Sequence, residues 1–167
     1  MCSKPIRLRM LVTASFMLTL PIMMQIATAA VPKDACALLP QSQVAAVLGV
    51  EVDAGRDTIG TGQVCRWRQA GKSPGADVAL LQVALMKAEA FEIGKTPVPN
   101  WNKPSVSGIG DDAYFTDNGK VTFPISPALA VKKGPVIFTI TALIPKTSIE
   151  QIKALEKSAA LKILERL

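Results

Sequence analysis

The sequence predicts an α+β domain: a twisted antiparallel sheet, a C-terminal helix packed across it, and a short N-terminal helix tied on by a disulfide. Three observations carry this. Short apolar and β-branched runs, several of them alternating, recur between residues 50 and 142 with Gly, Pro and Asn between them. Residues 149–167 instead repeat apolar positions at helical spacing. Two cysteines, Cys36 and Cys65, lie one ahead of the sheet region and one inside it.

The chain opens on a segment of another kind. Lys4, Arg7 and Arg9 precede an apolar run over residues 10–24, interrupted by Thr13, Ser15, Thr19 and Pro21, and Ala27-Thr28-Ala29-Ala30 follows. A basic start, a short apolar stretch and an A-x-A exit make a secretory signal, with cleavage expected after Ala29 and after Ala30 as runner-up. The competing reading is an uncleaved anchor. A spanning helix needs about 20 apolar residues, and this run is shorter and carries Pro21. Lipidation at Cys36 would call for small apolar residues before it, whereas Lys33-Asp34-Ala35 stand there. The expectation is a leader over 1–29 and a single domain over 30–167, periplasmic or secreted, with no stable membrane anchor after cleavage.

Cleavage changes the composition. It leaves 138 of the 167 residues, with all 13 acids but only 16 of the 19 basic residues, so the net charge falls from +6 to +3. A chain of that length suffices for one domain that buries about two-thirds of its unfolded surface. Cys2 departs with the leader, and the remaining pair in an exported chain reads as a disulfide. Closing 29 positions is worth roughly 3.5 kcal/mol in the chain-entropy model. The alternative, a reactive thiol or metal ligand, is weaker: the chain has no His, and two cysteines alone do not complete a tetrahedral zinc site.

Residues 30–33 read as an extended arm, and Asp34 caps a short turn over residues 35–39. Gln41–Leu48 forms a two-turn helix with Val44, Val47 and Leu48 on one face, stopped by Gly49. Residues 50–53 alternate and suggest a first strand. A loop containing Gly55, Gly60 and Gly62 leads to a strand over 63–69, where Cys65 and Trp67 share one face and Val64, Arg66 and Arg68 the other. After a turn at 71–75, residues 78–86 are apolar at nearly every position, which predicts a strand covered on both faces. Residues 87–93 form a short helix ended by Gly94. An irregular stretch with Pro97, Pro99 and Pro104 follows.

Two hairpins come next. Asp112–Thr116 and residues 120–123 flank Asp117-Asn118-Gly119, a strong hairpin signal. Residues 128–132 and 136–142 flank Lys133-Gly134-Pro135. The last helix has Thr147 as N-cap with Glu150 three residues on, a capping box. Ile149, Ile152, Leu155, Ala159, Ile163 and Leu167 recur on its apolar stripe.

These residues carry a resemblance. They are Asp34-Ala35-Cys36-Ala37-Leu38-Leu39, Leu48-Gly49, Cys65-Arg66-Trp67, Gly108-Ile109-Gly110-Asp111-Asp112-Ala113-Tyr114 and the final Leu-rich helix. In this D-x-C-x-L-L … C-x-W … G-I-G-D-x-A pattern the chain resembles a family of small bacterial exported proteins and lipoproteins catalogued as a domain of unknown function. The resemblance implies the Cys36–Cys65 bond and a sheet bearing the terminal helix, an arrangement like the PsbP-like α+β folds. It implies no activity, and this chain lacks the lipidated cysteine of the lipoprotein members.

Chemistry-bearing patterns are sparse. Gly108-Ile109-Gly110-Asp111-Asp112-Ala113 fits G-x-G-x-x-A, but Tyr114-Phe115-Thr116 runs on as a strand where a dinucleotide site needs a helix. Asp111, Asp112 and Asp117 lack the D-x-D-x-D-G order of a calcium loop. The absence of His removes the usual general base. Glu89 and Glu92 stand at helical spacing, as exposed helix carboxylates commonly do. Trp67 reads as core beside the disulfide. Candidate contact residues are Trp101, in the Pro-rich stretch, and Arg66 with Arg68 on one strand face, accompanied by Lys132 and Lys133. Without a Lys/Arg cluster, a net charge of +3 gives no nucleic-acid footprint. The expected function is an exported, non-enzymatic module that binds a protein or envelope component, without a cofactor. The alternatives are a carrier holding an apolar ligand between sheet and terminal helix, and a carboxylate-dependent hydrolase.

Overall fold

The computed structural model describes residues 31–73, 78–121 and 127–167. The leader expected over 1–29 and cleavage at Ala29 lie outside the described residues, as do 74–77 of the predicted turn and 122–126. The described residues form α1 (Gln41–Leu48), β1 (Arg56–Asp57), β2 (Val64–Arg68), β3 (Leu80–Leu85), α2 (Ala88–Gly94), β4 (Asp112–Thr116), β5 (Ala128–Lys133), β6 (Val136–Leu143) and α3 (Ile149–Leu164). One antiparallel sheet runs in the order β1-β2-β3-β6-β5-β4. This is the mixed α+β domain that the sequence predicts.

Period-two geometry sorts the side chains onto two faces. One row crosses the sheet as Cys65, Val83, Ile140, Leu129 and Phe115, each directly opposite the next. All five are buried. This inner face takes α3, whose Ile152, Ala159, Ala160 and Ile163 are fully buried, and α1 through Val44, Val47 and Leu48. Gly49 ends α1 in the left-handed conformation (φ 69°) that a side chain would resist.

The disulfide joins Cys36, in a short 3-10 turn capped by Asp34, to Cys65 on β2, with Cα atoms 4.9 Å apart. It fixes the N-terminal segment to the same face as Trp67, which is 1% exposed. A Cβ added at Gly55 would lie 2.6 Å from Trp67 Nε1 and 2.7 Å from Cys65 Sγ. Only a glycine lets the chain pass so close over the indole and the sulfur.

Four expectations are corrected. The strand over 50–53 reduces to one bridge, Val52 with Gln69, and the regular pairing starts later at Arg56. Three residues separate Val52 from Arg56 where two separate Arg66 from Gln69, so the edge carries a bulge. Second, Lys120 and Val121 are outside any strand, residues 122 and 123 of the expected strand lie outside the described residues, and β4 pairs with β5. The Asn-Gly signal is local, and its turn does form, with Asp117 Oδ1 accepting from Gly119 N at 2.7 Å. The stronger apolar row of β5 takes the long-range pairing.

Third, the cap of α3 is Ser148 with Gln151, one residue beyond Thr147 and Glu150. Both pairs satisfy the capping pattern, and the Thr147 hydroxyl is turned to the Pro145 carbonyl instead. Fourth, β3 is covered on both faces only at its start. Val78, Ala79 and Leu80 are buried, whereas Gln82, Ala84 and Leu85 are half-buried. The irregular stretch after α2 also acquires a role. Residues 102–106 run beside β4, with Phe115 N donating to Pro104 O (2.9 Å) and Val106 N to Ala113 O (2.8 Å). Prolines remove donors from a regular ladder, yet the segment still occupies that sheet edge.

Candidate functional site

The outer face of the sheet is divided. Over β4, β5 and β6 it is covered by α2, where Phe91 packs on Tyr114 (ring centroids 5.1 Å apart), Ala130 and Ile137. Tyr114 Oη donates to the Phe91 carbonyl at 3.2 Å. Over β1 and β2, by contrast, the outward side chains line a groove of about 260 Å³ bounded by Asp53, Ala54, Arg56, Thr58, Arg66 and Arg68.

Each lining residue is placed by the backbone. Arg66 and Arg68 are two apart on β2 and so share the outer face. Arg56 stands directly opposite Arg66 across the β1–β2 pair. In a regular strand Asp53, three residues before Arg56, would point to the other face. The bulge between them brings both to the same groove. Asp53 N donates to the Arg68 carbonyl at 2.8 Å, which holds this loop against β2.

Charge is unbalanced here. Like charges directly opposite on neighbouring strands destabilise a sheet, and Arg56 faces Arg66. Gln82 on β3 accepts from Arg66 Nε and Nη2 at 3.2 and 2.8 Å and fixes that guanidinium. Among the described residues, neither Arg56 nor Arg68 lies within 4.0 Å of a carboxylate oxygen. Other outward charges are compensated. Lys132 pairs with Glu92 at 3.7 Å, Lys133 with Asp111 at 2.8 Å, and Lys95 with Glu92 and Asp112. Chemically the groove offers guanidinium donors, a hydroxyl and one carboxylate, a set suited to holding an oxyanion.

The remaining sequence candidates are scattered. Arg66 and Arg68 come together, but Lys132 and Lys133 join other partners. Trp101 is half-buried in the segment that borders β4, its N–H donating to the Val98 carbonyl at 3.1 Å. Five strand spacings, roughly 24 Å across the sheet, separate β4 from β1, and Trp101 lies in the segment beyond β4. The aspartates that lack the order of a calcium loop take three different structural posts. Asp111 accepts from Gly134 N at 2.6 Å and holds the β5–β6 turn. Asp112 pairs with Lys95, and Asp117 with Lys153 at 2.7 Å. Gly108-Ile109-Gly110 forms a tight turn with both glycines at positive φ. Arg56 escaped the sequence reading because it sits in an apparent loop; only the β1–β2 register sets it opposite Arg66.

One further group was not foreseen. Glu156 on α3 is fully buried beneath the helix. Its Oε1 accepts from Ala142 N at 2.9 Å, and Oε2 has no hydrogen-bond partner. Met86 N donates to the Ile137 carbonyl across the β3 side of β6. In an antiparallel pair the amides alternate sides, so the Ala142 amide points away from β3, past the start of β5. Glu156 supplies the acceptor that β5 does not. Burial pushes its carboxyl well above the usual range, against the lowering effects of the Ala142 N–H and Lys153. Enclosed in the core, it has no surface through which a substrate would reach it.

Compared with family models, curated proteins and solved structures, the chain matches none of them. No helix among the described residues is long and apolar enough to cross a membrane.

Proposed function

We propose that this protein is an exported, non-enzymatic binding module of the family it resembles, which engages a protein or envelope component through the uncovered outer face at β1 and β2. The observation that carries this reading is the groove where Arg56, Arg66 and Arg68 converge and where, among the described residues, Arg56 and Arg68 have no matching carboxylate. Supporting it, the disulfide suits an oxidising compartment. The carrier alternative calls for an apolar cavity between sheet and α3, and Ile152, Ala159, Ala160 and Ile163 fill that interface. The hydrolase alternative calls for facing carboxylates in a cleft, and the strongly perturbed carboxyl, Glu156, is enclosed in the core.

The test places a photo-crosslinking side chain at Thr58, inside the groove, and at Leu161, exposed on α3. Adducts in intact cells are expected from position 58 alone and are expected to disappear in the Arg56→Glu/Arg68→Glu variant. Equal labelling from both positions would count against the reading, as would a purified chain that retains Met1 and free thiols in the cytosol.

A further inference from the structure

The groove's charge selects a class of ligand. Among the described residues, Arg56 and Arg68 line it with no carboxylate oxygen within 4.0 Å, an excess of two positive charges without an ion-pair partner. A phosphomonoester at neutral pH carries about −1.5 to −2, which matches that excess; a single carboxylate would leave half of it unopposed. Geometry agrees with charge. Arg66 is held by Gln82 as a fixed positive centre between Arg56, opposite it, and Arg68, two residues along. Guanidinium forks bind tetrahedral oxyanions through paired N–H donors, unlike the point charge of a lysine. Among the described residues the carboxylate lining the groove is Asp53, and the bulge that aims it there also aims Arg56.

Resting on the binding-module reading, we infer that the groove of Arg56, Arg66, Arg68, Thr58 and Asp53 is a binding site for a phosphomonoester dianion. Arg56 and Arg68 supply the donors, Arg66 supplies fixed charge, and Asp53 restrains affinity by its like charge toward the ligand. That restraint gives the proposal an asymmetric signature. Removing a guanidinium weakens binding, whereas removing the Asp53 charge tightens it. Saturation at Arg56 and Arg68 separates this site from a merely solvated charged surface, which attracts phosphate only diffusely and without saturating.

The test uses the disulfide-bonded, exported chain labelled with nitrogen-15. Inorganic phosphate is titrated at constant ionic strength while the arginine Nε–H signals are followed by NMR. Saturable shifts of Arg56 and Arg68 are expected. Arg56→Ala or Arg68→Ala should weaken the affinity about tenfold or more, the usual effect of losing a charged hydrogen bond, and Asp53→Asn should tighten it. Flotation with phosphatidylcholine vesicles, with or without phosphatidate, separates two sources of the same group. Recruitment by phosphatidate points to a lipid headgroup, and phosphate binding without recruitment points to a soluble phosphorylated ligand. Either result supports the site. Arginine signals that do not respond to phosphate, or an Asp53→Asn variant that binds more weakly, overturn it. If crosslinks from position 58 persist in that case, the binding module stands and only its ligand class falls.

Discussion

Glu156 shows how a single residue links the fold to pH. A carboxylate in the core is stabilised by hydrogen bonds and opposite charge and penalised by lost hydration. Here hydration dominates, because Oε1 has one amide partner and Oε2 has none. The carboxyl is therefore raised in the folded state. The folded protein holds this proton where the unfolded chain has released it. Stability is accordingly greatest below the unfolded value near 4.5 and declines as pH rises through the folded value. Lys153 and Asp117 are the charged groups acting on it from nearby, the first lowering and the second raising. Glu156→Gln keeps an acceptor for Ala142 and removes the charge. It is expected to stabilise the protein at pH 8 by roughly 1–3 kcal/mol, the usual cost of an incompletely partnered buried group, and to have little effect at pH 4. Denaturant midpoints at the two pH values check this, and an equal change at both would refute it. Asp117 acts in the opposite sense. Burial raises its carboxyl, but the Lys153 ammonium and the Gly119 N–H prevail and lower it, so its contribution is present at neutral pH and lost on acidification.

At the scale of the element, α3 illustrates how little separates two caps. Thr147 with Glu150 and Ser148 with Gln151 are both acceptable pairs in sequence. The helix adopts the second, with Ser148 Oγ accepting from Gln151 N at 3.3 Å and Gln151 Oε1 accepting from Ser148 N at 3.1 Å. Ser148→Ala should cost about 1 kcal/mol. Thr147→Ala, whose hydroxyl donates only a long 3.4 Å bond to the Pro145 carbonyl, should stay within about 0.5 kcal/mol of the parent. Thermal melts of the two variants decide the matter, and the reverse order would restore the cap to Thr147. The same lesson applies at the β1 edge. A bulge of one residue converts an alternating run at 50–53 into a bridge and a turn, and it brings Asp53 and Arg56 to one side.

The molecule as a whole is a sheet with one fully covered face and one divided face. The covered face depends on the N-terminal segment that the Cys36–Cys65 bond ties to β2. Replacing both cysteines with serine is expected to remove about 3 kcal/mol, measurable as a shift in the denaturation midpoint. An unchanged midpoint would mean that α1 holds the N-terminus without the bond. Much of this architecture was legible. Cys65 and Trp67 alternate with Arg66 and Arg68, and that period alone assigns the disulfide to the core face and the arginines to the other. The stripe of Ile152, Ala159 and Ile163 likewise announced the terminal helix.

By itself, the sequence determined most of the strands and helices and which of their faces are apolar, though not β1 or the edge at 50–53. These follow from local periodicity and composition, because a residue's side is set by its own neighbours in the chain. Tertiary structure decided three things: that β4 pairs with β5, that Glu156 meets the stranded amide of Ala142, and that Arg56 stands opposite Arg66. Each joins residues distant in sequence through register, and register depends on which apolar rows bury best together. No local pattern records that comparison.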